Sequence, residues 1–206
     1  MKTLAILGAS GHGRVAADIA LQSGWGDVVF FDDSDTNRTR FEHWSFAGNT
    51  TELLNSFGHY AGVFVAIGNN KIRSEKLALL RDINAPIISL IHPRSIISPF
   101  ATLGSGVMVV GGAVLCAFSC IGDGGIINSG STVGHDCKLE ECVHVAPGAH
   151  VAGNVHIGRL SWVGIGAAIR QGLVIGSNVM IGVGAAVVSN AEDGQVLIGV
   201  PAKPKN

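Results

Sequence analysis

An imidazole and a carboxylate stand side by side at His135-Asp136. A carboxylate next to a histidine can fix the tautomer of the ring and raise its basicity, and a free imidazole is mostly neutral near neutral pH. The pair therefore predicts a general base and the acidic residue that supports it. A solvated surface histidine beside a solvated aspartate is an equally good interpretation of these residues alone.

A second candidate site is a glycine-rich loop, Gly8-x-x-Gly11-x-Gly13, placed between a predicted strand and a predicted helix. The backbone N–H groups of such a loop can receive a diphosphate at the helix N-terminus. The spacing is not the GxGxxG of dinucleotide enzymes. A tight turn needed only for helix–strand packing is the alternative.

Two polar groups follow later strands, Asp32-Asp33 after the second and Gly68-Asn69-Asn70 after the third. Ligands of open parallel sheets bind beyond the carboxyl ends of the strands, which is where the glycine loop also lies. Asp32 is available to bind a ribose or a base. The predicted sheet is about half the size of a full dinucleotide fold, which favours one nucleotide moiety over a complete NAD.

The elements that must position these residues alternate between strands and helices over residues 1–92, which predicts a small parallel α/β sheet of Rossmann-like type. We predict strands at 3–7, 28–31, 63–67 and 87–91, helices at 14–22, 50–57 and 73–83, and a polar, irregular stretch at 34–49. His92-Pro93 marks the junction, because the residue before a proline is disfavoured in a helix. We therefore expect a second domain at 93–206.

That second domain carries a six-residue repeat. A branched aliphatic recurs at every sixth position without interruption, and a small or apolar residue stands four positions after each of the first fifteen. A period of six fits neither a helix nor simple strand alternation, and it predicts a parallel β-helix in which each coil buries its apolar face against its neighbours. Seven residues that directly follow the aliphatic are glycines, which we expect to supply positive φ at tight corners. The sixteen aliphatics are Ile97, Leu103, Val109, Leu115, Ile121, Ile127, Val133, Leu139, Val145, Val151, Ile157, Val163, Ile169, Ile175, Ile181 and Val187.

Three other histidines of the repeat, His144, His150 and His156, share one hexad position. About three hexads make one coil, so these residues lie on three different sides and cannot converge on one metal within a single chain. A zinc site between subunits, as in γ-class carbonic anhydrases, stays open as an alternative. The four cysteines form no CxxC pair, and Cys137 falls on an inward position where packing is its expected role.

Composition narrows the class further. The chain has 206 residues, 47% of them hydrophobic, and a formal net charge of −1, which gives no basic surface for nucleic acid. The N-terminus has too few apolar residues for a signal peptide and no stretch is long enough to span a bilayer, so we expect a cytoplasmic protein. Only seven charged residues fall between Ile97 and Val187, and so bare a surface predicts that another subunit covers part of it.

The whole pattern resembles the bacterial hexapeptide-repeat acetyltransferases that act on nucleotide-linked amino sugars, the PglD-type enzymes related to sialic-acid O-acetyltransferases. The resemblance covers nearly the whole chain. It rests on seven segments in the same order: Gly8-Ala-Ser-Gly-His-Gly13, Phe31-Asp-Asp33, Ala66-Ile-Gly-Asn-Asn70, Leu90-Ile-His-Pro93, Gly134-His-Asp-Cys137, Ala152-Gly-Asn-Val155 and Gly199-Val-Pro-Ala-Lys203.

This resemblance implies an N-terminal sugar-nucleotide domain and a left-handed β-helix that forms homotrimers with acetyl-CoA between subunits. It implies His135 as the general base assisted by Asp136, where the family often has Glu. The residues implied to bind acetyl-CoA are His144, Gly153, Ile165 and Val183. Those implied to bind the sugar nucleotide are Ser10, Gly11, His12, Asp32, Asp33 and Gly68.

The implied reaction is acetyl transfer from acetyl-CoA, without a metal, to the 4-amino group of a nucleotide-linked amino-dideoxy sugar in bacterial glycan or glycoprotein biosynthesis. A uridine diphosphate carrier is the first expectation, since Asp32-Asp33 suits hydrogen bonding to uracil or ribose, but the sequence does not decide among UDP, dTDP and GDP. Two alternatives stay open. One is O-acetylation of a sugar hydroxyl, as in the sialic-acid enzymes, and the other is a carbonic-anhydrase-like enzyme or a non-catalytic scaffold on the same solenoid.

Overall fold

The computed structural model describes residues 2–34 and 39–205. It divides into two compact units, Met1–Pro93 and Arg94–Asn206. The first unit contains a sheet with the strand order β3-β4-β2-β1-β5, parallel except for the β3–β4 pair. The strands of this sheet are β1 (Thr3–Leu7), β2 (Asp27–Phe31), β3 (Arg40–Phe41), β4 (Trp44–Phe46) and β5 (Gly62–Val65). A further strand, β6 (Leu90–Ile91), follows along the chain and is not part of this sheet.

Three helices connect these strands, α1 (Gly11–Gln22), α2 (Thr50–Ser56) and α3 (Asn70–Asp82). Helix α2 begins at a capping box, in which Asn49 accepts from the Thr51 and Glu52 amides while Glu52 accepts from the Asn49 amide at 2.7 Å. Helix α3 begins because Asn69 accepts from the Ile72 amide at 3.0 Å.

Several predicted elements of this unit were wrong in extent. Helix α1 begins at Gly11 rather than 14, and α3 begins at Asn70 rather than 73 because Asn69 caps its first turn. The stretch predicted to be irregular contains β3 and β4, although residues 35–38 of it lie outside the described part of the chain. The strand predicted at 87–91 is reduced to β6 and a single bridge between Ile87 and Val63.

The second unit is the predicted parallel β-helix. Residues 94–188 form sixteen two-residue strands, and each pairs in parallel with the strand three hexads away, in the neighbouring coil. These strands are β7 to β22, at 96–97, 102–103, 108–109, 114–115, 120–121, 126–127, 132–133, 138–139, 144–145, 150–151, 156–157, 162–163, 168–169, 174–175, 180–181 and 186–187. Two further strands, β23 (Val196–Ile198) and β24 (Lys203–Pro204), follow them.

Three flat faces result from this pairing. The first face contains β7, β10, β13, β16, β19 and β22, the second contains β8, β11, β14, β17 and β20, and the third contains β9, β12, β15, β18, β21, β23 and β24. The predicted aliphatics form the core between the faces, and those from Val109 to Val187 are at most 3% exposed. Cys137 lies in this core, as predicted.

The predicted role of the seven corner glycines was wrong. Positive φ occurs two positions after these glycines in the hexad, for example at Asp136, two residues after Gly134. The glycine directly after the aliphatic is required by close approach of the next coil, because a Cβ on Gly134 would stand 2.5 Å from the Gly153 nitrogen and one on Gly158 2.6 Å from the Gly176 carbonyl carbon. Glycine therefore sets the spacing between coils at this position.

Candidate active site

His135 and Asp136 lie on the corner between the first and second faces, in the turn from β13 to β14. Nδ1 of His135 is 2.7 Å from Oδ2 of Asp136. The turn is fixed by both neighbouring coils, since the Asp136 amide donates to the Ala117 carbonyl at 3.1 Å and the His135 carbonyl accepts from the Asn154 amide at 2.7 Å. The two side chains are 67% and 56% exposed, so a reactant can reach them.

Gly153 lies directly beneath the imidazole. A Cβ on Gly153 would stand 2.6 Å from Cε1 of His135 and would also overlap Nε2. Nδ1 faces the carboxylate and Nε2 lies over the next coil, so Nε2 is the ring nitrogen that can exchange a proton with a reactant. The dyad and a bare stretch of backbone are therefore adjacent, which is the arrangement that proton transfer beside an oxyanion requires.

His144 lies in β15, on the third face. It is only 3% exposed, its ring lies 4.0 Å from that of Trp162, and Nε2 is 3.2 Å from Nδ2 of Asn128. The Asn128 amide is oriented because its Oδ1 accepts from the Ser129 amide at 2.8 Å, so Nδ2 donates to the ring. This hydrogen bond leaves the Nδ1 nitrogen of a neutral His144 as the protonated one.

His135 and His144 lie on opposite sides of the same prism. The third face, which holds His144, is bounded by the two corners that do not contain His135. The other two residues assigned to the coenzyme, Ile165 and Val183, are exposed and occupy equivalent positions in successive coils on the corner after the third face. Of the four residues assigned to acetyl-CoA, only Gly153 lies beside the dyad. A single solenoid cannot bring the other three, His144, Ile165 and Val183, into the same crevice.

The N-terminal unit contains a cavity of about 490 Å³ at the carboxyl ends of β1, β2 and β5. Four of the six predicted sugar-nucleotide residues line it, namely Ser10, Asp32, Asp33 and Gly68. Sequence reasoning missed Ile72, Glu75 and Lys76 of α3, which also line the cavity. Their only sequence signal is their position in the first turns of the helix after the third strand.

The two aspartates of the cavity are held by different partners. Asp32 accepts from the Ala9 amide at 2.6 Å and from the Ser34 amide at 2.8 Å. Asp33 accepts from the Thr50 amide and hydroxyl and from Lys76 Nζ at 2.6 Å. For both carboxyls burial acts to raise the pKa, but the hydrogen bonds outweigh it and the net pKa is lowered. Both are therefore anionic at neutral pH.

The other two predicted residues, Gly11 and His12, do not line the cavity. Gly11 has open space where a Cβ would be, whereas a Cβ on Gly8 would stand 2.5 Å from the Ala66 carbonyl oxygen and one on Gly13 would overlap Gly8. Two of the three glycines are therefore required by packing, as the alternative interpretation of the loop stated. His12 is half-buried with its Nε2 shielded from solvent, and burial together with the nearby Arg73 lowers its pKa to about 4.

Arg73 is a further residue that the sequence did not single out. Its guanidinium is fully buried and donates to the Ile67 carbonyl at 2.8 Å, the Gly68 carbonyl at 3.0 Å and the Asn70 side chain at 2.7 Å. A planar fork of donors suits three acceptors in this arrangement. Arg73 therefore shapes the wall of the cavity that contains Gly68.

The remaining histidines of the repeat have local partners. His150 Nδ1 is 3.0 Å from the Thr132 hydroxyl, and His156 Nε2 is 2.9 Å from Glu140, whose pKa is lowered chiefly by this hydrogen bond. Across residues 2–34 and 39–205, no three His, Cys, Asp or Glu side chains form a group that could hold a metal, and the four cysteines are free thiols. In the same residues no helix is long and apolar enough to cross a membrane.

A nucleotide-type α/β unit followed by a hexapeptide-repeat solenoid with an exposed His–Asp dyad defines a class, the hexapeptide-repeat acyltransferases. Residues 3–79 match the model of the PglD N-terminal domain. The solved acetyltransferase domain of PglB from Neisseria gonorrhoeae FA1090, in complex with acetyl coenzyme A, is 40% identical with a TM-score of 0.95, covering 99% of both chains. The chain belongs to the PglD-type family of sugar acetyltransferases.

Two further relatives carry substrate names. PerB from Caulobacter crescentus, solved in complex with CoA and GDP-perosamine, is 33% identical with a TM-score of 0.94, covering 100% of this chain and 98% of that one. UDP-N-acetylbacillosamine N-acetyltransferase of Bacillus subtilis (strain 168) is 32% identical over 117 residues, covering 53% of this chain and 52% of that protein. The match spans about half the length of the curated relatives.

Proposed function

We propose that this protein transfers the acetyl group of acetyl-CoA to the 4-amino group of a nucleotide-linked amino-dideoxy sugar. The observation that carries the proposal is the 2.7 Å contact between His135 and Asp136 on an exposed corner, with Gly153 beneath the ring. The similarity to solved acetyltransferases with acetyl coenzyme A, and with CoA and GDP-perosamine, supports both substrates.

The proposed chemistry is direct transfer. Nε2 of His135 removes a proton from the sugar amine as its nitrogen bonds to the thioester carbonyl carbon. The negative charge moves to the carbonyl oxygen, where the Gly153 N–H stabilises it. Collapse of this intermediate breaks the C–S bond, and the thiolate of CoA takes the proton from the imidazolium. Asp136 keeps the ring oriented and stabilises the imidazolium while it carries that proton.

Cys137 is a poor candidate for an alternative acyl-enzyme route. Its thiol is buried, its Sγ lies 3.0 Å from the Ala152 carbonyl, and burial raises its pKa, so the thiolate is disfavoured. A ternary complex with no covalent intermediate is therefore the mechanism we propose.

The first test is a thiol-release assay with acetyl-CoA and a panel of UDP-, dTDP- and GDP-linked 4-amino-4,6-dideoxyhexoses. We expect the UDP-linked sugar to be the best acceptor and the product to be an amide that resists mild base. His135→Ala should lower kcat at least about a hundredfold while calorimetry shows nearly intact acetyl-CoA binding. A normal rate in this variant would exclude His135 as the base, and a base-labile product would show O-acetylation instead.

We also propose that the site is completed by a second copy of the chain in a homotrimer. The support is geometric, since His135 and His144 lie on opposite sides of one solenoid. A His135→Ala chain lacks the proposed base, and a His144→Ala chain lacks a residue assigned to acetyl-CoA, so we expect each variant to be inactive alone. When the two chains are co-expressed with different tags and purified together, some sites combine the intact half of each chain, and part of the wild-type rate should return. No recovery in the mixed assemblies, or a 21.2 kDa particle by light scattering, would contradict a shared site.

A further inference from the structure

Two phenylalanines occupy the corner that carries the dyad. Phe100 and Phe118 hold the positions equivalent to Asp136 in the two preceding coils, each three hexads before the next. Their rings stack with centroids 5.3 Å apart and an angle of 25° between the planes, and they are 62% and 60% exposed. The Asp136 amide donates to the carbonyl of Ala117, so the aromatic pair begins one coil from the dyad.

The backbone at Phe118 is unfavourable for this residue type. Its φ is 61°, in the left-handed region where equivalent corner positions have Gly, Asn or Asp, as at Gly130, Asn154 and Asp136. Cys142 and Leu160 are also exceptions, but the first is buried and the second half-buried. Phe118 combines a strained backbone with an exposed aromatic ring, and such a combination points to a ligand rather than to packing.

The position of the pair along the solenoid selects the ligand. Gly153, which we assign to acetyl-CoA, follows His135 on the same corner, one coil later. The coils before His135 on this corner are therefore left for the acceptor. No charged residue occurs between 95 and 122, so this surface suits the apolar part of an acceptor and not its diphosphate.

We propose that Phe100 and Phe118 form the platform on which the acceptor sugar lies, with its C–H face and its C6 methyl group against the rings. The inference rests on the proposed function and names the part of the substrate that this surface recognises. Because the two rings stack on each other, the sugar can lie only against an outer face of the pair, where the electron-rich ring attracts the weakly positive hydrogens of a C–H surface. A 6-deoxy sugar presents such a surface, whereas a hydroxyl at C6 would be desolvated there without a partner.

The test compares Phe118→Asn with the matched control Leu160→Asn in the full-length protein. Both substitutions place asparagine at the same hexad position with φ near 60°, but Leu160 lies on another corner. We measure KM for the acceptor, KM for acetyl-CoA, the kcat/KM ratio of 6-deoxy over 6-hydroxy acceptors, and the particle mass by light scattering. Phe100→Ser serves as an independent second variant.

Phe118→Asn should raise the acceptor KM about tenfold and reduce the preference for the 6-deoxy sugar, with the KM for acetyl-CoA and the particle mass unchanged. Leu160→Asn should leave all four quantities at wild-type values. An unchanged acceptor KM and sugar preference in both phenylalanine variants overturns the platform while the proposed function stands. A fall in particle mass would instead assign the pair to a subunit interface. A wild-type protein that acetylates no sugar of the panel overturns both proposals.

Discussion

The carboxylate of Asp136 lies 2.7 Å from Nδ1 of His135, although it belongs to the very next residue and has a side chain one methylene shorter than that of glutamate. The backbone of Asp136 is left-handed, with φ at 58°, and its amide is anchored to the preceding coil. The left-handed corner therefore places the short side chain within hydrogen-bonding distance of the neighbouring ring. An aspartate is sufficient to orient the ring here.

Asp136→Asn should lower kcat about 10- to 100-fold with little change in the KM for acetyl-CoA. The amide can still accept a hydrogen bond from Nδ1, and asparagine tolerates the left-handed backbone, but the charge that stabilises the imidazolium is lost. Steady-state kinetics and a thermal melt of the same sample separate the two effects. Asp136→Glu is the matched control, and a charge role requires it to keep a rate well above that of the asparagine variant.

Gly153→Ala should reduce kcat at least about tenfold without lowering Tm by more than a few degrees. The new methyl group would occupy the position of the His135 ring, which is exposed and can move away, so the proposed base is displaced while the fold remains. Gly134→Ala is the contrasting variant, because its methyl group meets the backbone of the next coil. We expect that variant to lose about 1–3 kcal/mol of stability by overpacking. Equal melting temperatures and equal rates in the two variants would contradict this assignment.

The stability of the N-terminal unit should fall between pH 6.5 and pH 4. The pKa of His12 is lowered to about 4 in the fold, so in this range the unfolded chain binds the proton and the folded chain does not. Above pH 6.5 His12 is neutral in both states and does not change the free energy of unfolding. Below pH 6.5 protonation of His12 in the unfolded chain lowers the free energy of unfolding, by at most about 3 kcal/mol. Urea unfolding at several pH values measures it, and His12→Asn should flatten the slope. A slope that His12→Asn leaves unchanged would assign the effect to other groups.

Arg73→Lys should destabilise the N-terminal unit by about 2–4 kcal/mol and raise the KM for the nucleotide sugar. A lysine ammonium cannot serve the two carbonyls and the amide that the buried guanidinium fork now joins. Arg81→Lys, on the exposed part of the same helix, is the control and should be neutral. Chemical unfolding and acceptor kinetics provide the two measurements, and an unchanged acceptor KM in Arg73→Lys would show that the loop keeps its shape without the fork.

The solenoid could be predicted almost completely from the sequence, because its period is a repeated local rule. Each hexad shows one inward aliphatic, and the pairing of strands in neighbouring coils follows from three hexads per coil. The role of the corner glycines could not be predicted, since a glycine required by φ and one required by a neighbouring coil look alike in a sequence. The two interpretations differ only in three dimensions.

The N-terminal unit was less predictable because its details depend on contacts between distant residues. The cavity residues Asp32 and Gly68 follow from the rule that sites form at the carboxyl ends of strands, and both line the cavity. The burial of Arg73 has no such local signal, as an arginine in an amphipathic helix usually points to solvent. Strands β3 and β4 were missed because they are only two and three residues long.

The pairing of each hexad strand with the one three hexads away also restricts how the gene can change. Deleting or inserting a single hexad inside the solenoid would keep the six-residue repeat of aliphatics. It would, however, move every later residue to the next face or corner, one third of a turn around the coil. Gly153 would then no longer follow His135 along the same edge. Lengthening or shortening that keeps His135 and Gly153 on one edge must come in whole coils.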